Sequence, residues 1–264
     1  MRVLVALALA AATVAAQGQS RLLPIADAGQ ILAASREALG GQQRIDGVKT
    51  VVMTGRTRQL RGNNLVPIEF EIQIALPDKY ARTDEFPAQD AGPATSGFSG
   101  NQLIQIPALP PPVGRPGGPP PPTAAQRDAV RVIGLKQDFA RLMLGMFATS
   151  YGAFPLTFTF VAQAEAPQGK ADVLEAKGAG NLVSRLFISA DTHMPILISW
   201  TAPGPPGATP PEQRLYFGDY REVSGLKLPF RLRRAAGADT TEETTFDRFR
   251  INAKVDDKKF EVSQ

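Results

Sequence analysis

Along most of this chain, large apolar residues recur at every second position. The clearest stretch is VPIEFEIQIAL, where Val66, Ile68, Phe70, Ile72, Ile74 and Leu76 alternate with Pro67, Glu69, Glu71, Gln73 and Ala75. A period of two puts six hydrophobes on one face of a strand and leaves the other face to water, as in an antiparallel sheet covered on one side. Slipping the register by one residue would expose all six, at roughly 1.5 to 3 kcal/mol each. The pattern predicts a partner strand over Val48–Leu60, joined to it through the turn Gly62-Asn63-Asn64.

The same period recurs downstream. Short strands are expected at Tyr80–Asp84 and Asn101–Ile106, with Gly97–Gly100 as a turn between them. PLTFTFV places Leu156, Phe158 and Phe160 on one face. Leu182, Ser184, Leu186 and Ile188 form another set, and the turn Asp191–Pro195 leads to a partner carrying Ile196, Ile198 and Trp200. YFGDYREVSGLKLPFRLRR reads as a hairpin about Ser224-Gly225, with Leu226, Leu228, Phe230 and Leu232 on one face. A last strand runs over Thr240–Ile251.

Two segments have a helical period instead. Ala26–Leu39 is helical in composition and stops at Gly40-Gly41. A second helix starts at Thr123, with Gln126 placed for a capping box. Its stripe of Val132, Leu135, Phe139, Leu142 and Met146 is widened by Met143, Leu144 and Phe147 until the last turns are apolar almost all round. Such a helix must be covered on most sides, either by packing on the sheet or by closing the mouth of a cavity.

Proline marks the connections. Pro107–Pro122 is dominated by proline and cannot pair in a sheet, so an extended loop is expected there. A second proline-rich loop spans Pro203–Pro211. The N-terminal MRVLVALALAAATVAAQ has a basic start, a short apolar run and small residues before Gln17, which reads as a secretory signal peptide cleaved after Ala16. With no cysteine in the chain there is no disulfide and no thiol to acylate. The expectation is a single exported, periplasmic domain over residues 17–264, soluble and not lipid-anchored.

Charge and chemistry narrow the function. A formal net charge of +4 is spread along the strands rather than gathered into an arm, which argues against nucleic acid and leaves transient contact with a membrane surface open. One histidine, His193, and no cysteine leave no zinc ligand set, so neither metal nor cofactor is expected. Gly97-Phe98-Ser99-Gly100 lacks the full nucleophile elbow. Glu69 and Glu71 share the wet face and read as partners for arginines such as Arg56 and Arg58 rather than as a catalytic pair. Arg56, Arg58 and Arg61, and with them Arg231, Arg233 and Arg234, are read as solvated strand faces.

Several stretches together resemble the outer-membrane lipoprotein-sorting, LolA/LolB-like group of periplasmic proteins: IQIALPDKYARTDEF, SGFSGNQLIQI, FISADTHMPILISW, FGDYREVSGLKLPFRLRR and FRINAKVDDKKFEV. The resemblance covers about Gly47–Val262, and the Pro107–Pro122 insertion departs from it. It implies a mainly β fold, a curved and unclosed antiparallel barrel whose apolar concave side is covered by helices and receives acyl chains.

The residues themselves allow a solid core or a pocket in that place. The candidate ligand-binding set is Phe70, Ile72, Phe158, Phe160, Ile198, Trp200, Leu228 and Phe230 on the sheet, with Phe139, Leu142, Met143 and Met146 on the helix. The expected function is a non-enzymatic carrier or chaperone for an acyl chain, lipid or lipoprotein. The alternative is an envelope protein-interaction or sensor module with a filled core.

Overall fold

The computed structural model describes residues 27–261 apart from 63, 88–91, 115, 116, 119, 167, 168, 203, 205, 206 and 208. The signal peptide reading therefore lies outside the described residues.

Two short helices, α1 (Ala28–Ala38) and α2 (Gln42–Asp46), precede five strands: β1 (Thr50–Arg61), β2 (Asn64–Ala75), β3 (Lys79–Glu85), β4 (Ala94–Ser99) and β5 (Gln102–Ile106). The long helix α3 (Ala124–Phe147) leads to β6 (Thr157–Ala166), β7 (Gly169–Gly178), β8 (Leu182–Ser189) and β9 (Pro195–Thr201). Then come β10 (Glu212–Val223), β11 (Leu226–Ala236), β12 (Asp239–Ile251) and a 3-10 turn at Asp257–Phe260.

The twelve strands among the described residues form one sheet in the order β5-β4-β3-β2-β1-β12-β11-β10-β9-β8-β7-β6. Two antiparallel meanders are thus sewn together where the first strand meets the last, with Val51 opposite Ile251 and Thr57 opposite Thr244. The edges β5 and β6 sit at opposite ends of the order, so the barrel is unclosed. The chain must cross from one edge to the other between them. α3 makes that crossing: its 24 residues span about 36 Å at the usual helical rise. Thr123 and Gln126 cap its start reciprocally, as their spacing predicts.

Because β2 alternates strictly, its apolar face fixes which side is concave. Phe70, Ile72 and Ile74 pack in one cluster with Val51 and Met53 of β1, with Leu228 and Phe230 of β11, and with the apolar face of α3. A smaller convex cluster forms where the C-terminal segment folds back and sets Phe260 against Ala81 and Ile104. Gln73 Oε1 accepts the Asp256 backbone N–H there at 2.9 Å.

Two sequence expectations are corrected, and one strand is added to those the pattern predicts. Gly97–Gly100 is not a turn: β4 runs through Ser99, and Gly97 is glycine because a Cβ there would lie 2.1 Å from the Tyr80 carbonyl oxygen of the neighbouring strand. β7 was not anticipated, since its GKADVLEAKG composition favours helix, and pairing with β6 and β8 overrides that preference. Arg234 does not share the wet face of Arg231 and Arg233. Period two puts it with Leu232 on the concave side, where it faces Leu215 of β10.

Candidate functional site

α3 does not fill the whole concavity. Toward the β1–β2 hairpin end, its residues Leu135, Asp138 and Leu142 roof a cavity of about 190 Å³. The floor is apolar: Phe70 and Ile72 from β2, Leu215 from β10, Leu232 from β11 and Phe246 from β12. Phe70 and Phe246 meet edge to face at 5.6 Å, which fixes both rings.

The rim is polar because the same concave rows end in charged residues. Arg82 follows Tyr80 on β3, Arg234 follows Leu232 on β11, and Glu242 precedes Thr244 on β12. Arg82 Nε donates to Asp84 Oδ1 at 2.7 Å, and its guanidinium lies 4.7 Å from the Phe70 ring centroid. Burial works against the Arg82 charge, and the Asp84 carboxylate outweighs it, so the guanidinium pKa is raised. Buried Thr57 and Thr244 share a hydrogen bond of 2.8 Å, and Thr244 Oγ1 donates onward to Glu242 Oε1 at 3.3 Å. Arg234 Nε reaches the same carboxylate at 3.8 Å.

α3 brings a third pair. Arg141 is buried and its pKa is lowered by that burial, while Asp138 at 3.0 Å opposes the shift. Arg141 Nε also donates to Ser184 Oγ at 3.3 Å, and its guanidinium stands 4.2 Å from the Trp200 ring. Each cation at the mouth thus has a carboxylate, and the rim is close to neutral. An apolar floor beneath a balanced polar rim suits an amphiphile with a hydrocarbon segment and a head that can exchange hydrogen bonds. The lining hydroxyls of Ser96, Thr244 and Tyr80 have no histidine or cysteine beside them in the cavity wall.

The structure divides the candidate residues. Phe70, Ile72 and Leu142 line the cavity. Phe139, Met143, Met146, Ile198 and Leu228 are 2% exposed or less and interlock in solid core, Phe139 against Phe98 at 5.5 Å. Phe230 packs on Phe249 at 5.0 Å, Trp200 lies under Arg141, and Phe158 and Phe160 are half-buried on the edge strand β6. Sequence reasoning left out Leu135, Leu215, Leu232 and Phe246, although the two-residue and helical periods already placed Leu135 and Leu232 on the right faces. The rim charges gave no such signal.

Tyr80, in the cavity wall, has its phenol pushed up to about 12, chiefly by burial, and burial raises Tyr151 and Tyr220 as well. A folded-state pKa above the unfolded value of 10.0 leaves stability intact below pH 10 and removes it as pH rises toward 12. Urea midpoints measured across that window should fall steeply, and Tyr80→Phe should shallow the fall by about one proton. An unchanged slope would contradict the burial of this phenol.

Comparison with solved structures bears on this architecture. A LolA superfamily protein from Nitrosomonas europaea superposes with a TM-score of 0.53, covering 89% of this chain and 98% of that one at 14% identity. The fold is that of the LolA superfamily. A putative outer membrane lipoprotein-sorting protein domain from Vibrio parahaemolyticus matches with a TM-score of 0.52 over 89% of this chain and 97% of that one, at 9% identity. No family model matches the sequence, and no curated protein matches it. The LolA-like curved sheet, unclosed between β5 and β6, is as the sequence led one to expect. No helix among the described residues is long and apolar enough to cross a membrane.

Proposed function

We propose that this chain is a non-enzymatic carrier of an amphiphile, taking a hydrocarbon segment into the cavity under α3 and leaving the head at the rim. The observation that carries the reading is the mixed lining: Phe70, Ile72, Leu215, Leu232 and Phe246 below, with Arg82, Asp138, Arg234 and Glu242 above. The LolA-like fold supports it, since the Vibrio parahaemolyticus protein that shares this fold is a putative outer membrane lipoprotein-sorting protein domain. The cargo belongs to the acyl-chain, lipid or lipoprotein class, the chain is exported behind residues 1–16, and its working partners are envelope proteins or a membrane that supply and accept the cargo.

At about 190 Å³ the cavity is smaller than a typical ligand pocket of roughly 300–1,000 Å³. It holds a short segment as it stands, and a longer chain requires the roof to lift. Desolvation supplies about 0.8 kcal/mol per buried methylene, so each added methylene should tighten binding about fourfold until the cavity is full. Calorimetric titration of delipidated protein with saturated fatty acids of increasing length should show that rise and then a plateau. Affinity independent of chain length would refute the carrier reading. It would favour the envelope scaffold with a filled core, for which the solid packing of Phe139, Met143 and Met146 is the supporting observation.

A further inference from the structure

A concavity larger than the one under α3 lies on the opposite, convex face. Two rows of side chains cross four strands there in register. Arg58, Glu243, Arg233 and Tyr216 form one row; Arg56, Thr245, Arg231 and Gly218 form the other. Together they wall a groove of about 550 Å³. Gly218 leaves its end open, since a Cβ there would meet nothing within 4 Å.

The arginines are unequal. Arg56 is held by Asp247 at 3.0 Å, and the Arg233 guanidinium stands 4.1 Å from the Tyr216 ring centroid. Among the described residues neither Arg58 nor Arg231 has an ion pair within 4 Å; Asp219, paired with Arg221, also lines the groove and feels the charge of Arg231. Strands β1 and β11 flank β12, so Arg56 and Arg231 stand about 10 Å apart at the backbone with the Thr245 hydroxyl between them. Two long guanidinium arms can converge over that hydroxyl from either side.

We propose that this groove is a receptor for one phosphoryl group, seated over Thr245 and held by Arg231 together with the β1 arginines. Planar guanidinium forks match phosphate oxygens two at a time, and a hydroxyl completes the set. The surroundings favour a discrete anion over a continuous anionic surface. Glu243 repels a second negative charge in the neighbouring row, and beyond Arg56 an adjoining groove of about 480 Å³ carries Glu69, Glu71, Glu85 and Asp247. The phosphoryl group can come from a soluble phosphate monoester or from a phospholipid head. This site is independent of the concave cavity and stands whether or not that cavity carries an acyl chain.

The test is calorimetry of the full chain with glycerol phosphate, alongside co-sedimentation with phosphatidylcholine vesicles that do or do not contain phosphatidylglycerol. Binding of glycerol phosphate that weakens with salt identifies the soluble source. Binding only to the phosphatidylglycerol vesicles identifies the lipid head. In either case Arg231→Gln should weaken binding at least tenfold, Glu243→Gln should tighten it severalfold, and Arg185→Gln, at an exposed position of β8, should change nothing. All three positions are on the outer face, so thermal melting should confirm intact folding. No binding to either probe, or binding that Arg231→Gln leaves unchanged, would overturn the proposal.

Discussion

Gly145→Ala should destabilise the protein by about 3 kcal/mol, the upper part of the usual range for forcing atoms into a packed core. On propensity alone the change should help, since alanine in a helix interior is better than glycine by about 1 kcal/mol. Packing reverses the sign. α3 lies so close to β10 that a Cβ at Gly145 would come within 2.0 Å of two Phe217 ring atoms. Phe217 is only 6% exposed and has little room to swing away. The contact also sets the position of the helix, because Tyr220 Oη donates to the Gly145 carbonyl at 3.0 Å and to that of Pro195 at 2.9 Å. Urea unfolding of the variant checks the magnitude. A neutral or stabilising result would mean that α3 does not rest on Phe217.

Leu142→Trp should do the reverse: abolish uptake of a hydrocarbon chain while leaving stability unchanged or raised by about 0.5–2 kcal/mol, as cavity-filling substitutions commonly do. Leu142 hangs from the roof into the cavity, and an indole there takes the place of the ligand. Met143 is one residue away and 1% exposed in solid core, so Met143→Trp should destabilise the fold by overpacking. The pair is read by fatty-acid titration together with thermal melting. Uptake surviving Leu142→Trp would place the ligand elsewhere.

How legible this was in the sequence differs from element to element. β2 could be read residue by residue, because six alternating hydrophobes leave only one register that buries them. The cap of α3 and the breadth of its apolar stripe were equally plain, since both depend on neighbours within two turns. β7 was hidden because alanine, glutamate and lysine state a helical preference that only its two neighbouring strands overrule. The cavity was hidden for a different reason. Phe139 and Leu142 share one stripe of α3, and whether each is packed solid or borders a gap depends on which strand lies opposite. Phe139 meets Phe98 and Tyr80, whereas Leu142 lies over a row that passes from Phe246 to Thr244 and Glu242. The rim followed the same logic. Arg82, Asp138, Arg234 and Glu242 come from four elements, and nothing local marks them as neighbours. Only the register of β3, β11 and β12 brings them to one mouth.

The buried charges fit the carrier reading energetically. Arg141 would be costly in the core alone, and its pairing with Asp138 and Ser184 leaves its guanidinium stacked on Trp200 at the boundary between solid core and open mouth. The helix is thus apolar where it is fixed, at Phe139, Met143 and Met146, and polar where it borders the opening.

Whether the concave side holds an amphiphile is read by native mass spectrometry of the protein purified from its source, followed by organic extraction. The expected result is a bound species of near-equal stoichiometry that extracts as an acyl-bearing lipid. A clean unliganded mass, with no uptake of added fatty acid, would contradict it.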